Sequence, residues 1–333
     1  MQEYYGKTVL VTGATGLIGS HIVDILMSTQ KVKVIALGRS EAKLKNGFSE
    51  YLDNENFQVV AQDIMQELQL QEKIDYIFHA AGPMEGKIIQ NYPMDVINPN
   101  ITGTMNCLDY LKKQELELGV KGRLILFSSV TVYGNNTELD LSVNESETRV
   151  TENLESRSAP YSQSKRMSEV IALAYCRQFG VDVVIGRFST VYGSTRFIPE
   201  TAFFEFISKA INREDITLNC AGLPRRDNIY VDDAVNAVLL IGAKGNCGEA
   251  YNISSNGDMG NYVSVDEIAQ VIARVSNELY IENSISVKFK EESNGERKPG
   301  LKLDNTKIKA LGWDVTVSIE EGCKRTIMDI VRR

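Results

Sequence analysis

The sequence predicts an α/β protein built on a doubly wound parallel sheet, and two observations lead to this prediction. Apolar, β-branched runs alternate with helical patterns through the first half of the 333-residue chain; this order implies right-handed crossovers between parallel strands. The first apolar run also leads through a glycine-rich turn straight into an amphipathic helix. We therefore expect a larger domain over residues 1–190 and a smaller, mixed α/β domain over residues 191–333, with some elements of the second returning to the first.

The predicted strands of the first half are short apolar runs that end in glycine or polar residues. They lie at residues 8–11, 32–37, 57–61, 74–80, 123–128 and 181–188. Helical spacing of apolar residues predicts helices at 100–114 and 161–179. Because ligands of open α/β sheets bind beyond the carboxyl ends of the strands, the site is expected at that edge.

Beyond residue 193 the alternation of strands and helices becomes irregular. The predicted elements there are helices at 199–213, 232–241, 305–311 and 319–331, a strand at 216–219 and a turn at 223–227. Ser264 and Glu267 have the spacing of a capping box, which opens a further helix. The polar segment 135–158 is predicted to be a surface loop or flap.

The turn after the first strand contains Gly13, Gly16 and Gly19, which is the spacing of a dinucleotide site. Gly13 permits the tight turn, Gly16 lets the backbone approach a pyrophosphate, and Gly19 lets the helix pack close to the strand. The N–H groups of the first helical turn and the helix dipole then face the anion. We therefore predict a Rossmann-type dinucleotide-binding domain. Its first cofactor contacts are expected to be Gly13, Thr15, Gly16, Leu17 and Ile18.

Composition narrows the classes of function. The net charge is −8, from 36 Lys and Arg against 44 Asp and Glu, with no basic run, which disfavours nucleic acid and anionic membranes as partners. The five cysteines contain no Cys-x-x-Cys pair and the chain has two histidines, so no metal site and no disulfide framework are expected. The apolar runs are too short to span a bilayer, and the N-terminus lacks the pattern of a signal peptide, so a cytoplasmic protein is expected.

The pair Tyr161 and Lys165 predicts acid–base chemistry. The two side chains lie four residues apart on a helix and point the same way. A nearby ammonium stabilises a phenolate, so the pKa of Tyr161 is expected to fall below its ordinary value of about 10. Tyr161 would then exchange a proton with a substrate hydroxyl while hydride moves to or from a nicotinamide. Ser129, at the end of the fifth strand, would hydrogen bond to the same substrate oxygen.

The motifs taken together resemble those of the extended short-chain dehydrogenases/reductases of the nucleotide-sugar epimerase/dehydratase family, from residue 7 to about 330. The matching segments are 12–19, 63–64, 80–82, 100–104, 161–165, 230–233, 311–313 and 320–322. The resemblance implies an enzyme that uses NAD(P) and acts on a nucleotide sugar. It also implies a homodimer that forms through paired helices.

The resemblance assigns roles to individual residues. Ser129 is the active-site hydroxyl, Tyr161 the acid–base group and Lys165 its partner. Further cofactor contacts are carried over to Asp63, Ile64, Ala80, Ala81, Gly82 and Asn100. Arg226 matches the arginine that grips the nucleotide diphosphate, and bidentate pairing of arginine with phosphate gives the physical reason. The remaining candidate substrate contacts are Met84, Thr190 and Arg297.

Three departures from the family pattern bear on the cofactor and the reaction. Gly38 and Arg39 stand where an acidic residue would bind the adenine ribose, so the cofactor prediction favours NADP over NAD. Thr190 replaces the family's asparagine at a substrate-phosphate contact. Val130 and Thr131 replace the acidic pair that 4,6-dehydratases carry after the active-site hydroxyl. Because elimination of water needs an additional acid and base, this replacement disfavours dehydration.

The leading functional hypothesis is hydride transfer at carbon 4 of a nucleotide sugar with NAD(P), most simply by a 4-epimerase. An NADPH-dependent 4-keto-sugar reductase is an alternative that Arg39 favours. A decarboxylase is another, because residues 79–83 and 92–93 resemble UDP-glucuronate decarboxylases, although the glutamate that follows the serine in those enzymes is absent. A non-catalytic NADP-binding regulatory protein is the last alternative, and the intact Ser129, Tyr161 and Lys165 disfavour it.

Overall fold

The computed structural model of the chain describes residues 1–83, 86–134, 142–148, 152–199, 201–219, 224–280, 284–290 and 300–332. Its strands are β1 (Thr8–Thr12), β2 (Lys33–Gly38), β3 (Phe57–Ala61), β4 (Tyr76–His79), β5 (Arg123–Ser129), β6 (Ser142–Val143), β7 (Asp182–Phe188), β8 (Thr190–Tyr192), β9 (Ile216–Leu218), β10 (Arg225–Tyr230), β11 (Glu249–Ile253), β12 (Tyr262–Ser264), β13 (Val287–Phe289) and β14 (Lys302–Leu303). Its helices are α1 (Leu17–Ser28), α2 (Glu41–Gly47), α3 (Gly86–Asn91), α4 (Met94–Leu118), α5 (Ala159–Phe179), α6 (Ala202–Ile211), α7 (Val231–Lys244), α8 (Val265–Leu279), α9 (Thr306–Lys309) and α10 (Ile319–Arg332).

A parallel sheet forms the centre of the protein. Over the described residues it has seven strands in the order β11-β7-β5-β4-β1-β2-β3, and every pairing between them is parallel. This confirms the predicted α/β class and the predicted first six strands. The strand order changes direction at β1, with β2 on one side and β4 on the other. In a doubly wound sheet, this is where a crevice opens for a ligand.

The sheet is covered on both faces. Val9 and Val11 pack into one core with residues of α1 and α7, whereas Leu10 packs into a second core with residues of α4 and α5. Successive strand residues point to opposite faces, so a run of apolar residues such as β1 is buried on both sides. Continuous apolar strands are typical of parallel sheets for this reason.

The second half of the chain contributes to the central sheet and also forms smaller sheets. β11 lies beyond residue 190 but pairs with β7 at the sheet edge. β10 pairs with β8 and β12, β13 pairs with β9, and β14 pairs with β6. The β6–β14 pairing attaches residues 142–143, which lie in the predicted surface loop, to residues 302–303. Among the described residues, no helix is both long and apolar enough to cross a membrane.

Two elements differ from their predictions. The turn predicted at 223–227 is wrong for residues 225–227, which begin β10 and pair with β12. Tertiary contacts decide this, because Asp227 is buried and accepts a hydrogen bond from Ser255 Oγ at 2.5 Å. The helix predicted at 100–114 is longer and contains Pro99 inside α4. A proline removes one hydrogen bond from a helix. The helix nevertheless continues through Pro99, where α4 is packed along α5.

Candidate active site

The glycine turn between β1 and α1 lies directly against the end of β4. Gly13 has a φ of 65°, a conformation that favours glycine. A Cβ at this position would lie 2.8 Å from the N and Cα atoms of Ala81. A Cβ on Gly19 would lie 2.4 Å from the carbonyl oxygen of Gly13. Neither position has room for a side chain, so the turn, the start of α1 and the end of β4 form one close-packed cradle.

The N-terminus of α1 has the features of a phosphate site. Its N-cap is Gly16, no described side chain caps it, and the first turn contains no acidic residue. The N–H groups and the helix dipole are therefore available to attract an anion. Thr15, Leu17 and Ile18 border this position and are partly exposed. The predicted phosphate contacts thus lie together at the crevice of the sheet.

The other predicted cofactor residues lie at the neighbouring strand ends. Asp63 and Ile64 follow β3; Asp63 is half-buried and Ile64 is buried. Ala80 and Ala81 follow β4 and are partly exposed. The N–H group of Ala81 donates to Thr12 Oγ1 at 3.3 Å, which ties the end of β4 to the end of β1. A ligand lying across the strand ends would therefore meet the glycine turn and these residues in succession.

Ser129, Tyr161 and Lys165 come together at the carboxyl end of β5. The Ser129 hydroxyl lies within hydrogen-bonding reach of the Tyr161 phenol and lowers its pKa. Lys165 Nζ donates to the carbonyl oxygen of Phe127 at 2.9 Å and lies 5.9 Å from the centre of the Tyr161 ring. Ser129, Tyr161 and Lys165 are all buried. A hydroxyl, a phenol and an ammonium group are thus collected at one point from which water is largely excluded.

Burial has the largest effect on the pKa values of Tyr161 and Lys165. It raises the pKa of Tyr161 to about 12, and the hydrogen bond with Ser129 acts in the opposite direction. It lowers the pKa of Lys165 to about 8, against the raising effect of Glu169. The direction for Tyr161 is the reverse of that predicted from the spacing of Tyr161 and Lys165. The reason is that desolvation of the phenolate is the largest effect, while the ammonium donates to the Phe127 carbonyl.

A polar atom without a partner faces the same cluster. Asn100, on α4, is 1% exposed; its Nδ2 donates to Ser164 Oγ at 2.9 Å, whereas its Oδ1 has no hydrogen-bond partner among the described residues. A Cβ on Gly82 would lie 2.6 Å from this Oδ1 and 3.4 Å from Lys165 Nζ. Buried polar atoms are almost always hydrogen bonded. This unpaired acceptor, together with the glycine cradle, fits a dinucleotide cofactor whose nicotinamide end lies near Asn100.

The predicted substrate contacts do not form a single cluster as Ser129, Tyr161 and Lys165 do. Thr190 lies on β8 and Arg226 on β10, two strands that pair in parallel, and both residues are exposed. Arg39 follows β2 and is also exposed. Met84 and Arg297 lie outside the described residues. The exposed arginines have the access that binding of phosphate groups requires.

The structure adds a buried ion pair that the sequence did not single out. Arg187, on β7, pairs with Glu169 on α5, with Nη2 and Oε2 2.7 Å apart. Ser128, next to Ser129, donates to Glu169 Oε1 at 2.5 Å. Spacing is the signal that could have revealed Glu169. It follows Lys165 by four residues, as Lys165 follows Tyr161, which places three ionisable groups on one face of α5.

Comparison with known sequences finds a matching family model and enzymes of similar sequence. Residues 9–254 match the family model described as the NAD dependent epimerase/dehydratase family. A dTDP-D-glucose 4,6-dehydratase of Homo sapiens is 30% identical over 331 residues, which cover 97% of this chain and 89% of the relative. UDP-glucuronic acid decarboxylase 5 of Arabidopsis thaliana is 29% identical over 319 residues, with coverages of 94% and 86%.

Comparison with solved structures finds the same fold over almost the whole chain. UDP-glucose 4-epimerase of Thermotoga maritima, solved with UDP-glucose, superposes with a TM-score of 0.79 at 27% identity and covers 98% of this chain and 99% of its own. UDP-glucuronic acid 4-epimerase of Bacillus cereus, in complex with UDP-glucuronic acid and NAD, superposes with a TM-score of 0.76 at 25% identity, with coverages of 98% and 99%. The matched segment 9–254 includes every residue of the cluster around Tyr161.

Proposed function

Because this chain belongs to the NAD dependent epimerase/dehydratase family, as its motifs predicted, we propose that it is a nucleotide-sugar 4-epimerase. The observation that carries this proposal is the pair of residues after Ser129. Val130 is apolar, and Thr131 Oγ1 is buried with no hydrogen-bond partner among the described residues. These positions hold an acidic pair in the 4,6-dehydratases. Without that acidic pair the site lacks the extra acid and base that dehydration needs, whereas Tyr161 and Ser129 suffice for proton exchange at one sugar hydroxyl.

Each residue of the cluster has a task in the proposed reaction. Tyr161 acts as the phenolate, which requires nearby positive charge to offset the effect of burial on its pKa. The phenolate accepts the proton of the C4 hydroxyl as hydride leaves carbon 4, and it returns that proton when hydride is delivered to the other face of the sugar. Ser129 hydrogen bonds to the same oxygen and orients it. Oxidised NAD(P), when bound, would supply the hydride acceptor and a positive charge that favours the phenolate. Lys165 adds a second positive charge, and Asn100 Oδ1 would be available to accept a hydrogen bond from the cofactor.

We propose that the substrate is a nucleoside diphosphate sugar held beyond β8 and β10. Two of the 4-epimerases that superpose on this chain were solved with UDP-glucose and with UDP-glucuronic acid. Arg225 pairs with Glu267 at 2.8 Å, whereas Arg226 is exposed and forms no ion pair with another described residue. Arg226 is therefore the guanidinium available for the diphosphate. On this proposal, residues 191–333 supply most of the substrate contacts and residues 1–190 most of the cofactor contacts.

The proposal is tested by incubating the purified protein with NAD or NADP and either UDP-glucose or UDP-glucuronic acid and following the sugar signals by ¹H NMR. We expect the 4-epimer of at least one of these sugars to appear, with no loss of the carboxylate or of water. A pentose product from UDP-glucuronic acid would instead identify a decarboxylase. A 4-keto-6-deoxy product would identify a dehydratase. Either product contradicts the proposal.

Arg39 supports a preference for NADP, and it keeps a 4-keto-sugar reductase as the second candidate. Arg39→Ala is expected to weaken NADP(H) binding about tenfold, because it removes a charge-assisted contact to the ribose phosphate, and to leave NAD(H) binding unchanged. Calorimetric titration of both cofactors measures this effect. Lys45→Ala removes an equal charge from α2, where Lys45 pairs with Glu41, and should affect neither cofactor. An equal loss of both cofactors in Arg39→Ala would contradict the preference.

The exposed face of α4 and α5 supports a homodimer. Met105 on α4 and Met167 and Val170 on α5 are large apolar residues that are 39%, 47% and 51% exposed. Val170→Asp is expected to convert a dimer into a monomer, because it places a charge in the apolar contact. Light scattering after gel filtration measures the mass. Val331→Asp, at an equally exposed valine on α10, should leave the dimer intact; a monomeric wild-type protein would refute the proposed interface.

A further inference from the structure

We infer that Glu169 and Arg187 act as a positioning pair that holds Ser129 and Lys165 close to Tyr161, and the kinetic part of this inference rests on the proposed function. Arg187 donates from Nε to Oε1 of Glu169 at 3.0 Å and from Nη2 to Oε2 at 2.7 Å. The two side chains are 15% and 6% exposed. Two parallel hydrogen bonds fix the relative orientation of both groups. The pair therefore joins α5 firmly to β7.

The pair also determines the position of Ser129. Glu169 Oε1 accepts a hydrogen bond from Ser128 Oγ at 2.5 Å, and Ser128 lies opposite Arg187 in the β5–β7 register. Ser128 and Ser129 are the last two residues of β5. Anchoring the Ser128 side chain therefore fixes the end of the strand that carries Ser129.

The outer edge of the guanidinium holds the turn that follows Ser129. Arg187 Nη1 donates to Tyr133 Oη at 2.8 Å and to the carbonyl oxygen of Glu145 at 3.1 Å. Tyr133 Oη in turn donates to Asn252 Oδ1 at 2.7 Å. Tyr133 is the last residue of the short 3₁₀ helix that Ser129 caps. Both ends of the segment that carries Ser129 are thus bonded to one buried ion pair.

Glu169 also acts on Lys165 through its charge. The carboxylate raises the pKa of Lys165, whereas burial lowers it to about 8. Among the described residues that face Lys165, Tyr161 and the Phe127 carbonyl bring no net charge. His79 on β4 is neutral because burial lowers its pKa to about 3. Glu169 is therefore the negative charge that keeps Lys165 protonated, and without it Lys165 would lose its proton at a lower pH.

A positioning role for this pair can be separated from a contribution to stability. Buried ion pairs can often be replaced by apolar groups of similar size with little change in stability, whereas loss of one partner is strongly destabilising. This difference separates positioning from stability in an experiment. The double variant Glu169→Gln with Arg187→Met removes both charges together, so it should fold, but it leaves Ser128 and Lys165 without the carboxylate.

The test measures three properties of the double variant. We expect a thermal midpoint close to that of the wild type, a Lys165 titration midpoint below that of the wild type in the ¹³Cε chemical shift of labelled lysine, and a fall in kcat of about a hundredfold with little change in KM on UDP-glucose. Arg187→Lys keeps both charges but not the bidentate geometry, so it should lower kcat and leave the Lys165 titration unchanged. Glu169→Asp keeps the carboxylate, so the titration midpoint of Lys165 in this variant should lie close to that of the wild type.

The inference is overturned if the folded double variant has the Lys165 titration and the kcat of the wild type. If the double variant does not fold, Arg187→Lys decides, and a wild-type kcat in that variant overturns the inference. The lysine titration needs no turnover. An unreactive wild-type protein would therefore refute the proposed function, while the titration still tests the effect of Glu169.

A second, independent observation concerns two cysteines away from this site. The Sγ atoms of Cys176, in the last turn of α5, and Cys247, between α7 and β11, are 3.2 Å apart. Cys247 is exposed, whereas the other described cysteines outside this pair, Cys107 and Cys323, are buried. We propose that Cys176 and Cys247 are a dithiol site that a low-molecular-weight disulfide oxidises to an internal disulfide.

The chemistry of this site balances as two thiol–disulfide exchanges. The thiolate of one cysteine attacks the reagent, forms a mixed disulfide and releases one reagent thiol; the second cysteine then attacks the mixed disulfide and releases the other. A shift of about 1 Å brings the two sulfur atoms from their present separation to bonding distance. Partial desolvation and the neighbouring Cys176 raise the pKa of Cys247 to about 11, so the exchange should accelerate as the pH rises.

The test is incubation of the whole protein with oxidised glutathione at pH 8, followed by intact-mass measurement and peptide mapping. We expect a loss of two hydrogen atoms and one linked peptide pair, 176 with 247. Cys176→Ser and Cys247→Ser should each prevent the loss, and Cys107→Ser and Cys323→Ser should not. Mixed disulfides that persist on both cysteines, an unchanged mass, or a link to Cys220 would overturn the proposal.

Discussion

Replacement of Tyr161 by phenylalanine is expected to reduce turnover of a nucleotide sugar by about 10²–10⁴-fold. The substitution removes the one phenolic oxygen that meets Ser129 at the buried cluster and keeps the ring that fills the space. In the proposed mechanism the variant has no phenol to exchange a proton with the C4 hydroxyl, so hydride transfer at carbon 4 proceeds without general acid–base catalysis. NMR assays of the 4-epimer in the variant and the wild type give the ratio of rates.

Tyr175→Phe is the matched control for this substitution. Tyr175 lies on the same helix, and its hydroxyl group donates to Asp109 Oδ1 at 2.9 Å, away from the cluster. We expect this variant to retain wild-type turnover. Tyr161→Phe should still bind NAD(P), since the glycine cradle is untouched. Full turnover by Tyr161→Phe would show that another group transfers the proton, and the proposed mechanism would then fail.

Gly13→Ala is expected to weaken NAD(P) binding at least about tenfold, equivalent to about 1.4 kcal/mol. The new Cβ would lie 2.8 Å from backbone atoms of Ala81, which cannot rotate away as a side chain can. The turn must therefore move off β4, and the N–H groups at the start of α1 move with it. Titration of the apoprotein with NAD and with NADP measures the loss.

Gly119→Ala separates this contact from backbone strain. Gly119 has the same φ of 65° as Gly13, but a Cβ there would meet no atom within 4 Å. Alanine at either position is strained by about 1–2 kcal/mol, so both variants should be less stable than the wild type. Cofactor affinity should fall in Gly13→Ala alone. An equal affinity in the two variants would mean that the close approach of the turn to β4 has no part in binding.

The parts of the site that could be predicted from the sequence depend on short separations along the chain. The turn with Gly13 needs a strand before it and a helix after it, and both follow from local apolar patterns. Tyr161 and Lys165 share a face because a helix repeats every 3.6 residues. The sheet class follows in the same way from the alternation of elements. These features are local, so backbone geometry alone relates the residues involved.

The rest of the site depends on contacts between residues far apart in the chain, which only the three-dimensional arrangement decides. Ser129 approaches Tyr161 because α5 packs against β5. Asn100, with its unpaired Oδ1, joins the cluster because α4 lies beside α5. Glu169 meets Arg187 because α5 packs against β7. Burial then outweighs the charge of Lys165 and raises the pKa of Tyr161. Desolvation depends on everything that surrounds a group, so no local spacing could have predicted its direction.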